Sequence, residues 1–174
     1  MKTYISKYGL IYGLALAIGF YASYLMIGNS SEDYTKSEIV GYSVMILSSL
    51  SIYFAIKAYK DSMPNQAMTF VKGLQIGGAV SFIGSFVFAV YNWLFVNVLE
   101  PDFIEAYIQY SEKQIRESGA SIETINLQLQ ELSAYAELME SEVFYLFIMF
   151  MTVFVIGVFF TLASAAILKT KIEG

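Results

Sequence analysis

The sequence predicts an all-α integral membrane protein, with four transmembrane helices and an extracytoplasmic helical hairpin between spans three and four. Three observations predict it. Of 174 residues, 57% are hydrophobic and 14% charged, against roughly 45–50% and about 25% in soluble domains. The charges cluster, so that residues 8–31, 39–56, 73–99 and 143–168 form uncharged runs of 24, 18, 27 and 26 residues. The stretch between the third and fourth runs is polar and has helical spacing.

A helix needs about 20 largely apolar residues to cross a bilayer core. All four runs meet that requirement, the second narrowly. They place spans at about 8–28, 38–58, 70–99 and 143–168, with a hairpin insertion at 101–142, in a single domain over residues 1–174. The first run is too long for a signal peptide and ends in Leu25-Met26-Ile27-Gly28-Asn29, a poor cleavage sequence. It is read as an uncleaved span.

Basic residues set the expected orientation, because positive charge stays in the cytoplasm. Lys2, Lys7, Lys57, Lys60, Lys72, Lys169 and Lys171 fall on one side, and Lys36, Lys113 and Arg116 on the other. Both termini are therefore expected in the cytoplasm. Asp61 and Glu173 join the inner side and the other 13 acids the outer side, for net charges of 7 − 2 = +5 and 3 − 13 = −10. Tyr4, Tyr8 and Tyr59 mark inner span ends, and Tyr24, Tyr42, Tyr91, Trp93 and Tyr145 outer ones, as expected of an aromatic belt.

Between spans, Thr35-Lys36-Ser37-Glu38 reads as a capping box opening span two, and Asp102-Phe103-Ile104-Glu105 as another opening the hairpin. Asp61-Ser62-Met63-Pro64-Asn65 is a turn. In the hairpin, Ile104, Ile108, Ser111 and Ile115 form one helical line, with Phe103 and Tyr107 beside it. Gly119 suits a helix C′ position, and Ser121 suits the next N-cap. Ile122, Ile125, Leu129, Leu132, Ala136 and Met139 then follow at heptad spacing. No Gly or Pro occurs between Ala120 and Ile156. The expectation is thus one continuous helix from Ile122 to Leu168, a rigid arm projecting from the lipid.

The spans carry no charge. Their polar residues include Ser48, Ser49, Ser51, Gln75, Ser81, Ser85, Asn92, Asn97, Thr161 and Ser164. Small residues fall four apart along three spans: Gly9, Gly13 and Ala17; Gly73, Gly77, Ser81, Ser85 and Ala89; Gly157, Thr161 and Ala165. Such lines let helix backbones approach closely. Helix packing is expected for Gly9, Gly13, Gly73, Gly77, Ser81, Ser85 and Gly157. Asn92 and Asn97 are the candidates for a polar path.

With no cysteine and no histidine, thiolate and imidazole chemistry is excluded. Phosphate loops, dinucleotide fingerprints, HExxH and EF-hand loops do not occur. Met139, Met149 and Met151 are expected to pack rather than hold a metal. No catalytic residue, cofactor or metal site is expected, and no nucleic-acid partner. An enzyme would have to draw on Glu100, Asp102 and Glu105, the acids nearest the membrane edge.

The chain also carries Gly41-Tyr42-x-x-Met45 at the start of span two, Ile56-Lys57-x-Tyr59-Lys60-Asp61 at its end, and Pro101-Asp102-Phe103 after span three. In these it resembles a family of small four-span bacterial membrane proteins classed as a domain of unknown function. The resemblance implies a cell-envelope setting in Gram-negative bacteria and no activity. The functional expectation is a non-enzymatic inner-membrane protein acting by protein contact in the membrane and through its acidic outer hairpin. Its expected partners are membrane lipid and either another protein or a second copy of itself. The alternative is a channel or uncoupled transporter subunit with a polar path along span three.

Overall fold

The computed structural model describes residues 1–27 and 34–170. Its six α-helices are α1 (Lys2–Ile27), α2 (Tyr34–Asp61), α3 (Phe70–Leu94), α4 (Phe103–Glu117), α5 (Ile122–Met139) and α6 (Glu142–Leu168), and a π-helical turn (Phe95–Leu99) extends α3. Four segments are long and apolar enough to cross a membrane: Lys2–Ile27, Lys36–Asp61, Phe70–Leu99 and Glu142–Leu168. The surface agrees with that reading. Ile18, Leu47, Phe86, Phe159 and Ile167 are all more than half exposed, and an apolar exterior of this extent suits lipid rather than water.

The four long helices form a bundle in ring order α1, α3, α6, α2, with α2 and α3 also in contact. Its core is built on Tyr12, Leu16, Ile52, Ile56, Ile76, Val80, Phe88 and Val153. A second apolar cluster, Phe95, Val96, Met139 and Tyr145, sits at the end of the bundle that carries the α3–α4 and α5–α6 junctions. This is the distal end.

At the opposite end, Lys57 pairs with Asp61 at 2.5 Å. Thr69 caps α3 by accepting from Lys72 N at 3.2 Å. The chain after α6 is strapped to this turn: Thr170 N donates to Met68 O (2.9 Å), and Thr170 Oγ1 accepts from Met68 N (3.0 Å).

The α4 and α5 helices pack on each other. Gly119, between them, has φ +71, the left-handed conformation that glycine adopts without a Cβ penalty. Ser121 caps α5 by accepting from Thr124 N at 3.2 Å. On α5, Ile125, Leu129, Leu132 and Ala136 are half-buried and Met139 is buried, whereas Ile122 is exposed.

Two sequence expectations fail here. Asp102 occupies the N-cap position of α4 without a side-chain cap bond. Its φ −87, ψ 2 is not the extended geometry that aims a cap oxygen at the first turn. The continuous helix from Ile122 to Leu168 is not formed either. α5 stops at Met139, and α6 restarts at Glu142 behind Ser141, which is extended (φ −78, ψ 111) and accepts from Phe144 N. At 3.6 residues per turn, an unbroken helix would set Met139 and Tyr145 about 120° apart around its axis. Both belong to the same buried cluster, so the break turns two out-of-phase faces onto one core. As for α2, it begins at Tyr34, which puts Thr35 inside the first turn. The Thr35 side chain and loop residues 28–33 lie outside the described residues.

Candidate functional site

The small residues of α3 form its tightest contacts. A Cβ on Gly77 would fall 2.6 Å from Thr161 Cγ2, and one on Gly73 would fall 2.8 Å from Ala165 Cβ. From α6, a Cβ on Gly157 would fall 2.7 Å from Ser81 Oγ. In α1, Gly9 meets Ile83 at 2.8 Å and Gly13 meets Val87 at 2.5 Å by the same measure. Real Cβ atoms do not approach this closely, so these glycines allow the helices to touch. Gly84, off the four-residue line, gives room to the Tyr12 ring. Its signal was available, since it stands seven residues after Gly77, two helical turns on.

The hydroxyls inside the bundle serve the same contacts. Ser81 Oγ donates to Gly77 O (2.8 Å) and lies 3.2 Å from Thr161 Oγ1. Tyr12 Oη lies 3.0 Å from Ser49 Oγ, which donates to Met45 O. Ser85 Oγ is fully buried and is the one such side-chain atom among the described residues with no hydrogen-bond partner. Asn92 Nδ2 donates to Phe88 O and Asn97 Nδ2 to Trp93 O, each within its own helix. Asn97 is exposed, and Ser81 and Ser85 are buried. Of these four, Asn92 alone lines a cavity within the bundle.

That cavity, about 390 Å³, lies at the distal end. All six helices and the π turn contribute to its wall. Phe20, Ser23 and Tyr24 come from α1; Ser37, Glu38, Gly41, Tyr42 and Met45 from α2. Phe88, Tyr91, Asn92 and Phe95 come from α3 and its π turn, and Tyr145, Met149 and Thr152 from α6. Phe103, Ile104, Tyr107 and Ile108 of α4, with Tyr135 and Met139 of α5, close it. Among the described lining residues, four phenylalanines, six tyrosines and three methionines therefore dominate, and Glu38 is the only charged one.

Local chemistry holds the wall together. Phe95 packs edge-on against Tyr24 (5.2 Å between centroids) and Phe103 (5.4 Å), a favoured aromatic geometry. The Tyr24 phenol donates to Glu100 Oε1, which ties α1 to the turn after α3. The Tyr107 phenol donates to Glu38 Oε1 at 3.3 Å, which ties α4 to the start of α2. Trp93 Nε1 donates to Glu142 Oε2 at 3.2 Å and fastens α3 to the first turn of α6. Burial pushes the Tyr107 phenol above its ordinary range, and Glu38 adds to the rise through its charge and the hydrogen bond. Burial likewise raises Tyr135.

The acids near the α3–α4 junction have different partners. Glu100 receives Tyr24, Glu105 receives Gln109 (3.1 Å), and Asp102 is exposed without a cap bond. Among the described residues, no three Asp or Glu side chains are grouped to hold a metal ion.

A family model described as Protein of unknown function (DUF4199) matches residues 7–170. The chain belongs to this family. The resemblance read from Gly41-Tyr42-x-x-Met45 and Pro101-Asp102-Phe103 thus holds, and Gly41, Tyr42, Met45 and Phe103 all line the cavity. The DUF4199 match takes in all the cavity-lining residues. No curated protein and no solved structure matches the chain.

Proposed function

We propose that this DUF4199 protein is a non-enzymatic multi-pass protein of the bacterial inner membrane that binds an apolar or amphipathic molecule in its distal cavity. Both termini lie in the cytoplasm, the distal end faces outward, and α4–α5 is an extracytoplasmic hairpin closing the cavity. The observation that carries this reading is the wall itself. A space of about 390 Å³ lined by aromatic and methionine side chains, with few polar groups, has the size and chemistry of a small-molecule site. Its place at the membrane boundary gives lipid-dissolved molecules direct access.

Two observations favour this reading over the other candidates. The break at Ser141 removes the rigid arm on which a projecting contact surface would stand. The hydroxyls of Ser49, Ser81 and Thr161 are engaged between helices, which leaves little to line a polar path along α3. Contact with a protein partner or a second copy remains a second reading, favoured by Glu123, Glu131 and Glu137 on α5 and Glu140 just after it, all exposed.

The test uses the neutral apolar fluorophore N-phenyl-1-naphthylamine with protein in lipid nanodiscs, read by energy transfer from Trp93, the only tryptophan. Saturable binding is expected, and Ser23→Phe, which fills the cavity from α1, should weaken it about ten-fold or more. Transfer that never saturates, or that Ser23→Phe leaves unchanged, overturns the reading.

A further inference from the structure

We infer that the occupant of the distal cavity is a lipophilic organic cation: an amine or quaternary onium head on an apolar body. The inference rests on the cavity being a ligand site, and three features of the wall carry it.

First, the charge is one-sided. Among the described residues that line the cavity, Glu38 is the only carboxylate and no lysine or arginine is present. An anionic or phosphate-bearing ligand would meet a carboxylate and no countercharge, at a boundary where lipid weakens screening. A cation meets its complement.

Second, tyrosine and phenylalanine rings line the same cavity as that carboxylate. A ring face attracts a cation placed over it, and several faces together make an aromatic cage of the kind that holds quaternary ammonium groups. Tyr42 lies four residues after Glu38, one turn along α2, and Tyr107 is bound to Glu38 directly. Tyr24 holds a second carboxylate, Glu100, immediately behind the wall. The two phenols thus spend their protons on acids and turn no O–H donor toward a ligand anion.

Third, Glu38 has acceptor capacity beyond the Tyr107 bond, because a carboxylate accepts several hydrogen bonds. An ammonium N–H can join there, and an onium head without N–H can rest on the rings. Met45, Met139 and Met149 supply the adaptable apolar surface for the body of the ligand.

The experiment exploits a pair of ions with one shape and opposite charge, tetraphenylphosphonium and tetraphenylborate. Each is titrated by equilibrium dialysis against the full chain in nanodiscs, with empty nanodiscs subtracted. The phosphonium should bind saturably and about ten-fold or more tighter than the borate. Glu38→Gln should weaken the phosphonium about ten-fold. Equal binding of the two ions to wild-type protein overturns the cation assignment without any variant. An unchanged phosphonium affinity in a folded Glu38→Gln protein overturns it too. In either case saturable binding of the neutral probe keeps the cavity reading standing. If none of the three probes saturates, both readings fall.

Discussion

Gly77 rests directly on Thr161: a Cβ at Gly77 would lie 2.6 Å from Thr161 Cγ2 and 2.8 Å from its Oγ1, whereas a Cβ on Gly78 would meet nothing within 4 Å. Two adjacent glycines in one helix therefore have different roles. Gly77→Ala forces α3 and α6 apart and should cost about 1–3 kcal/mol. Gly78→Ala should be neutral or stabilising by up to about 1 kcal/mol, the ordinary helix-propensity gain. Thermal unfolding in mild detergent compares them, and equal melting temperatures would remove the close-contact argument.

The Ser141 cap sets where α5 ends and α6 begins. Ser141→Ala removes the acceptor for Phe144 N and should cost about 0.5–2 kcal/mol. The loss should appear as faster amide exchange confined to the first turn of α6. Uniform acceleration along α6 would show that the cap is not what defines the boundary.

The Tyr107–Glu38 bond makes the attachment of α4 sensitive to alkali. The Tyr107 phenol is raised from its ordinary value of 10, chiefly by burial and further by Glu38. A phenol whose folded pKa lies above its unfolded pKa holds its proton longer in the folded state. Its contribution is therefore intact below pH 10 and is lost as pH rises through the folded value. Phenolate absorbance should show one fewer late-titrating tyrosine in Tyr107→Phe. Amide protection in α4 should fall by up to about ten-fold at neutral pH, the value of one hydrogen bond. Identical titration curves for the two proteins would break the link.

Orientation is tested by insertion. A fluorescent protein fused after Gly174 should fluoresce, and alkaline phosphatase inserted at Gly119 should be active in the periplasm. The reverse pattern would invert the molecule and place the cavity on the cytoplasmic face.

The spans, the Gly119 turn, the Ser121 cap and the small-residue lines were all legible in the sequence because each is a local property. A span is a sum of transfer terms over contiguous residues. A cap needs one side chain within three residues, and a left-handed turn needs one missing Cβ. The α3 line Gly73–Gly77–Ser81 was visible as spacing, but its mates, Ala165, Thr161 and Gly157 on α6, are fixed by how the helices dock.

The break at Ser141 and the cavity were decided only in three dimensions. No glycine or proline marks the break, because its cause lies elsewhere in the chain. The α5 seam must face α4 and the buried side of α6 must face α3, and one straight helix cannot present both. The cavity is non-local in the same way. Glu38 and Tyr107 are 69 residues apart, and Tyr24 and Glu100 are 76 apart. Each reads in sequence as an ordinary interfacial aromatic or an ordinary solvated acid. They come together only when α4 and α5 fold back over the ends of all four spans, since burying apolar faces against one another is a property of the whole packing.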